Sequence, residues 1–560
     1  MRTLLIRTLL VIVPALSITT AATVQSQPRD DLTALARFYP ATTEFYSAIR
    51  TDDASFATID NLLARTLGSL PVIGGPESLA ELLTLLGGDA FEVLFAPWLG
   101  DQIALGVIEL DSPQSILALS VTDQAAAAAA LIADGSFAVV ESGGAYTVYT
   151  SAAATALLRA DVLFFTPPEL INDAMKRGSM PESLQTAPNF TEALAALPAA
   201  AGSDAYSILT YADFRSVGLA GDNLGLPVAV LSDAPGSLAV GMALRDGRAL
   251  LLDLAHTGDP LALEVFGLPL GLPVYGATPP LDPDFAARLP ADAALVLHGT
   301  DLRSLYSDLT INLPTAARAI LGNAIGSEIE QRLIDIPTAV SAITGLDFDR
   351  DIIGEMDGDF ALFARFGPEA SDAEVFPALV SALDFALVVE APTNAVARLW
   401  RRGVNQALDV AQVGGEFEVA GFALGQDRLG GVSVPVISVA TPFLFGGELD
   451  LHIGDGSDYL VVGTRAAVRS VFAADAALNA DPAYLSAQTT WLAATYQMWY
   501  LTGAQLGPVA DWLLNSPSQA ERLTGMGAAF GLDLLESATI TAAVAPDDSV
   551  ALRFVITLAE

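Results

Sequence analysis

The strongest constraint on the fold is a stretch that the chain uses twice. Gly87-Gly-Asp-Ala-Phe-Glu-Val-Leu-Phe-Ala-Pro-Trp-Leu-Gly-Asp101 runs into the apolar segment Gln102 to Leu110. Gly345-Leu-Asp-Phe-Asp-Arg-Asp-Ile-Ile-Gly-Glu-Met-Asp-Gly-Asp359 runs into Phe360 to Phe366 in the same way. Without a gap, Gly87, Asp89, Gly100 and Asp101 fall on Gly345, Asp347, Gly358 and Asp359. A shorter echo, Gly531-Leu-Asp-Leu-Leu-Glu536, lies near the C-terminus. In the two full copies, a helix stops at glycine, an Asp caps a short following helix, and a Gly-Asp turn launches a strand. This is scaffold chemistry, and it names neither a reaction nor a ligand.

Further landmarks recur in the same order. Phe38-Tyr-Pro40-Ala41 is answered by Arg288-Leu-Pro290-Ala291, each ahead of a strand ending at Thr51-Asp52 or Thr300-Asp301. Asp161-Val-Leu-Phe-Phe is answered by Asp458-Tyr-Leu-Val-Val, and Ala187-Pro188-Asn-Phe190 by Asp481-Pro482-Ala-Tyr484. A closing hairpin around Asp246-Gly247 is answered by one around Asp547-Asp548. Helix-period and strand-period segments alternate, and many strands are joined by turns too short for a parallel crossover. The expected fold is α+β, with two tandem homologous domains, each a mostly antiparallel sheet packed with helices. Residues 30–256 form the first repeat, 257–283 a proline-rich connector that packs, and 284–560 the second repeat. Extra loops are expected in the second repeat near Gly367–Glu374 and Gly414–Gly447.

The proline-alanine openings, the strand starts Pro97-Trp-Leu-Gly-Asp101 and Met356-Asp-Gly-Asp359, and Gly454-Asp-Gly-Ser-Asp-Tyr-Leu-Val-Val-Gly463 together carry a resemblance. Over most of its length the chain resembles the bacterial exported proteins grouped as domain of unknown function 3352. That resemblance implies an extracytoplasmic protein without an established activity, and it brings no catalytic residues with it.

Residues 1–26 read as a secretory signal: Arg2 and Arg7 precede an apolar run from Leu9 to Ile18. Thr20-Ala21-Ala22 and Val24-Gln25-Ser26 are the cleavage candidates. The mature chain is expected to be extracytoplasmic (periplasmic, cell-surface or secreted) and to lack a transmembrane span. A formal net charge of −39 repels phosphate backbones, which argues against nucleic acid as a partner. With no cysteine, disulfides, thiolate metal sites and cysteine nucleophiles are excluded. Lys176 is the only lysine, and it lies at a helix end rather than in a phosphate loop.

Candidate chemistry is sparse. His256, His298 and His452 lie in apolar strand-like segments at no paired metal spacing, and no G-x-S-x-G elbow occurs. The densest acidic cluster is Asp347, Asp349, Asp351, Glu355, Asp357 and Asp359. Its opening suggests a calcium loop, but Ile352 and Gly358 occupy the positions where an EF-hand needs Gly and Glu. Capping and turn formation are preferred, and Ca2+ at Asp347, Asp349 and Asp351 is the one cofactor to consider. Trp491, Tyr496, Met498, Trp499 and Tyr500 form the main aromatic cluster. A buried sheet explains it, and an exposed sugar- or peptide-binding platform is the functional version. The expected function is a non-catalytic extracytoplasmic binding or envelope-associated protein of unknown partner. A carrier of an apolar ligand between sheet and helices comes next, and a secreted hydrolase third.

Overall fold

The computed structural model describes residues 29–559 except for 67–94, 214–227, 271–278, 391–417, 516–530 and shorter stretches among them. The chain divides into two compact units. The first holds Met1–Leu261 and Ala545–Val555, with Glu560; the second holds Ala262–Val544 and Ile556–Ala559. Helix and antiparallel sheet make up both, as the alternating periodicities predict.

The strands in chain order are β1 (Phe45–Arg50), β2 (Leu99–Glu109), β3 (Ser112–Val121), β4 (Ala138–Ser142), β5 (Tyr146–Thr150), β6 (Thr155–Arg159), β7 (Val162–Thr166), β8 (Ile208–Asp213), β9 (Val228–Leu231), β10 (Gly236–Arg245) and β11 (Ala249–Gly258). Next come β12 (Ala262–Val265), β13 (Leu268–Leu270), β14 (Leu295–Gly299), β15 (Phe360–Phe366), β16 (Leu383–Glu390), β17 (Glu418–Val419), β18 (Phe422–Leu429) and β19 (Val432–Thr441). The last are β20 (Gly447–Asp455), β21 (Tyr459–Gly463), β22 (Thr495–Thr502), β23 (Leu535–Val544) and β24 (Val550–Leu558).

In the first unit the antiparallel order is β4-β5-β6-β7-β3-β2-β1-β8-β10-β11. Strand β24 pairs with β11. Asp123 caps the helix Gln124–Ile132, accepting from Ala125 N and Ala126 N, as its place before an alanine run predicts. The core gathers around edge-to-face rings: Tyr46 meets Tyr39 at 5.3 Å and Phe190 at 5.6 Å, and Phe190 meets Tyr211 at 5.0 Å. Their hydroxyls are satisfied by backbone, Tyr39 donating to Ala104 O at 2.8 Å and Tyr46 to Leu32 O at 2.8 Å. The 3-10 helix Arg29–Phe38 supplies Leu32, Leu35 and Phe38 to the same core.

In the second unit the antiparallel order is β23-β22-β14-β15-β16-β21-β20-β19-β18-β17. Its core centres on Tyr484, whose ring meets Tyr500 at 5.2 Å and Trp491 at 5.8 Å. Within the proline-rich 257–283, β12 and β13 pair in antiparallel fashion.

Two local expectations differ from what forms. Where a loop was expected at Gly414–Gly447, the described residues are chiefly strands β17, β18 and β19. The turn between β18 and β19 is made by Gly430 and Gly431, both at positive φ, which a side chain would resist. Strand β6 is buried over Thr155–Leu158 although Thr155-Ala-Leu-Leu-Arg159 has neither the alternation of a half-buried strand nor the leading Asp of β7.

Candidate functional site

The aromatic cluster belongs to the core. Tyr496, Met498 and Tyr500 are buried, and Trp491 and Trp499 are partly buried. Strand alternation turns Tyr496, Met498 and Tyr500 to one face, and β14 and β23 flank β22 on either side. Burial raises the pKa of Tyr496 and of Tyr500 well above the phenol range. Tyr496, Met498 and Tyr500 present no open face to a sugar or peptide, while Trp491 and Trp499 keep part of their surface.

The acidic loop is used internally. Asp347 accepts from Arg350 N at 2.8 Å, and Asp351 accepts from Asp347 N at 3.0 Å. Arg350 closes on both Asp351 oxygens at 2.7 and 2.9 Å. That pairing, with the Asp347 backbone N–H, holds the Asp351 carboxyl down at about 2. Asp349 is exposed, and its charge contributes to raising the Tyr306 pKa, behind burial. Asp357 lies outside the described residues.

Asp359 plays a different part. Its Oδ2 faces His298 Nε2 at 2.9 Å and accepts from Asp282 N at 2.8 Å. His298 is fully buried, with Phe285 stacked on it at 5.0 Å. A sealed pair of this kind ties the start of β15 to β14 and to the 3-10 helix Pro283–Arg288, and offers no room to a ligand.

The residues that do surround an open space lie on β16, β18, β20 and the start of the helix Arg465–Ala473. A cleft of about 440 Å3 is lined by Asp384, Asp427, Glu448, Asp450, His452, Thr464 and Arg465, among others. Its volume falls within the roughly 300–1,000 Å3 of small-molecule sites. The sequence builds it by strict alternation: in Gly447-Glu-Leu-Asp-Leu-His452, Glu448, Asp450 and His452 project to one face and the leucines to the other. Register brings Asp427 to that face, because Asp427 opposes Val434 and His452 opposes Val436. Gly425 shares the face, and a Cβ placed there would meet nothing, so the floor stays open.

Within the cleft Asp427 is the hub. Its Oδ2 lies 3.0 Å from His452 Nε2 and 3.0 Å from Arg465 Nε. A backbone N–H from Arg428, then His452 and Arg465, hold its carboxyl below the usual range. Thr464 donates to Asp384 at 2.9 Å, and Ser438 to Asp450 at 2.5 Å. His452 is 4% exposed, and its Nδ1 has no hydrogen-bond partner among the described residues. Among the described residues, no three His, Asp or Glu side chains stand close enough to share a metal ion. No described helix is long and apolar enough to cross a membrane.

Of this site the sequence singles out His452, as a strand histidine at no metal spacing, and the acidic alternation of β20 is the other visible signal; Asp427 and Arg465 join them only through strand register.

No family model matches the chain, and no curated protein matches it. Among solved structures, crystal forms IV, III and I of TP0453 are similar at 12–13% identity, covering 39–40% of this chain and 78–79% of that one. Their TM-scores of 0.22–0.24 are too low for the likeness to carry any argument about fold or function.

Proposed function

We propose that this chain is an exported, non-catalytic binding protein of the cell envelope or surface, with its ligand site in the cleft between Asp384, Asp427, Glu448, Asp450 and His452. The observation that carries the reading is the His452 arrangement. Among the described residues Nε2 is engaged by Asp427 and Nδ1 has no partner, so no described hydroxyl is hydrogen-bonded to the ring as a nucleophile would be. A space lined by fixed polar groups, without that pairing, suits recognition better than turnover. Export rests on the signal-like residues 1–26 and on the resemblance to domain of unknown function 3352. Native mass spectrometry of the protein recovered from its exported fraction tests the reading. A small molecule that leaves on gentle activation is expected. Turnover in an esterase, protease and glycosidase screen, abolished by His452→Ala, would contradict it.

We also propose that the two units descend from one duplicated ancestor. Supporting this, β1 lies between β2 and β8 as β14 lies between β15 and β22. The run β3-β7-β6-β5-β4 is matched by β16-β21-β20-β19-β18. Isolated bridges join Pro40 to Ser183 and Pro290 to Ala477 at matching landmarks. Crystallographic superposition of β1, β2 and β8 on β14, β15 and β22 is the test; strands that run in different directions would defeat the proposal.

A further inference from the structure

We propose that the cleft recognises an organic cation, a primary ammonium or guanidinium group carried on a short flexible chain. This rests on the binding reading above and adds the chemistry of the ligand. Arg465 is the one cationic side chain among the described residues lining the cleft, against four carboxylates from Asp384, Asp427, Glu448 and Asp450. Arg465 is already committed to Asp427. Asp384 has Arg365 at 3.6 Å on its far side. Glu448 and Asp450 have no cationic partner among the described residues, and they lie on the same face of β20, two residues apart.

The buried ring of His452 supplies an independent indication. Its Nδ1, shielded from water, has no hydrogen-bond partner among the described residues. A buried polar atom left without a partner costs free energy that a ligand's hydrogen bond recovers. The charges left uncompensated in the cleft are thus the carboxylates of Glu448 and Asp450, and ammonium and guanidinium groups are donors without acceptors. An anion would meet unbalanced carboxylates, and a neutral alcohol would leave their charge uncompensated. A bare divalent ion is disfavoured because no three ligating side chains converge. An amine on a chain, by contrast, can reach Glu448, Asp450 and His452 in turn, and the cleft volume of about 440 Å3 has room for such a chain.

The test is isothermal titration of the full exported chain with cadaverine, agmatine, 1,5-pentanediol, glutarate and calcium chloride. It is run at about 150 mM salt, where the Debye length of about 8 Å mutes attraction to the acidic surface at large. Cadaverine or agmatine is expected to bind. In Glu448→Gln/Asp450→Asn, a near-isosteric pair on exposed positions, affinity should fall by about tenfold or more, as loss of charge-assisted contacts implies. Glu192→Gln, an exposed change in the first unit, should leave affinity unaltered. Amine binding that survives the double variant would overturn the proposal, since it would be general attraction to an acidic protein. Binding of pentanediol or glutarate, lost in His452→Ala, would overturn the cationic chemistry while leaving the cleft as a binding site. Calcium binding lost in the double variant would replace the amine with a metal. No heat with any probe would overturn the proposal, and a protein that also carries no small molecule out of the exported fraction would remove the binding reading beneath it.

Discussion

Arg553 and Asp253, 300 residues apart in the chain, form a two-pronged ion pair in the core of the first unit, Nε to Oδ1 at 2.6 Å and a terminal amine to Oδ2 at 2.7 Å. Neither side chain is more than 2% exposed. Tyr206 donates to the same carboxylate at 2.6 Å, so the buried charge is hydrogen-bonded as well as paired. The part of β24 up to Val555 is in this way fastened into a unit made chiefly of Met1–Leu261. Breaking a buried pair by removing one partner leaves an uncompensated charge and costs about 3–5 kcal/mol.

Arg553→Met is therefore expected to lower the stability of the first unit by about that amount and to leave the second nearly untouched. Calorimetry should show one unfolding transition moving down and the other staying in place. Equal displacement of both transitions would mean that the C-terminal strand does not belong to the first unit alone.

Much of the scaffold was legible beforehand, for local reasons. The Asp123 cap announces itself by preceding an alanine run, and β7 and β21 by short apolar bursts after Asp161 and Asp458. Pairings across long sequence separations were not legible. Nothing within 25 residues of local pattern reveals that Asp427 meets His452, and nothing at all ties Arg553 to Asp253. The hairpin β18–β19 hid for a related reason: Gly425-Gln-Asp427 breaks the apolar alternation at the cleft floor, where a site needs openness and charge.

Gly463 is a position where no side chain fits. A Cβ there would overlap the Phe385 carbonyl oxygen and Ala386 across the β16–β21 pairing. Backbone atoms cannot move aside as a flexible side chain could, so Gly463→Ala should destabilise the second unit by about 1–3 kcal/mol. Because His452 lies opposite Gly463, ligand binding should weaken with it. Chemical denaturation read alongside titration with cadaverine checks both; an unchanged midpoint would show that β16 and β21 are not paired in this register.

The acidic loop has a pH signature. Arg350, with the Asp347 backbone N–H, brings the Asp351 carboxyl from its ordinary 3.8 to about 2. A carboxyl whose pKa is lower folded than unfolded contributes stability that is fully present above the unfolded value. That contribution is lost as pH falls from about 4 towards 2. Carbon-detected NMR titration should find the Asp351 midpoint near 2 and, in Arg350→Gln, a midpoint displaced upward. An Asp351 that titrates normally in the wild type would dissolve the pairing.

Calcium should have little effect on this loop. Asp347 and Asp351 are occupied by capping and by Arg350, so a cation would have to displace existing bonds. Thermal unfolding with millimolar calcium or chelator is expected to give matching midpoints in the wild type. A rise with calcium that Asp349→Ala/Asp351→Ala removes would establish a metal site there, worth about 2.7 kcal/mol at a hundredfold excess over the dissociation constant.

The most direct test of the account is a crystal structure of the protein grown with cadaverine. Density for the diamine is expected in the cleft, with one ammonium within hydrogen-bond distance of Glu448 or Asp450 and the other nitrogen beside His452. An empty cleft in crystals that hold the diamine elsewhere, with His452 Nδ1 turned to a protein hydroxyl, would contradict it.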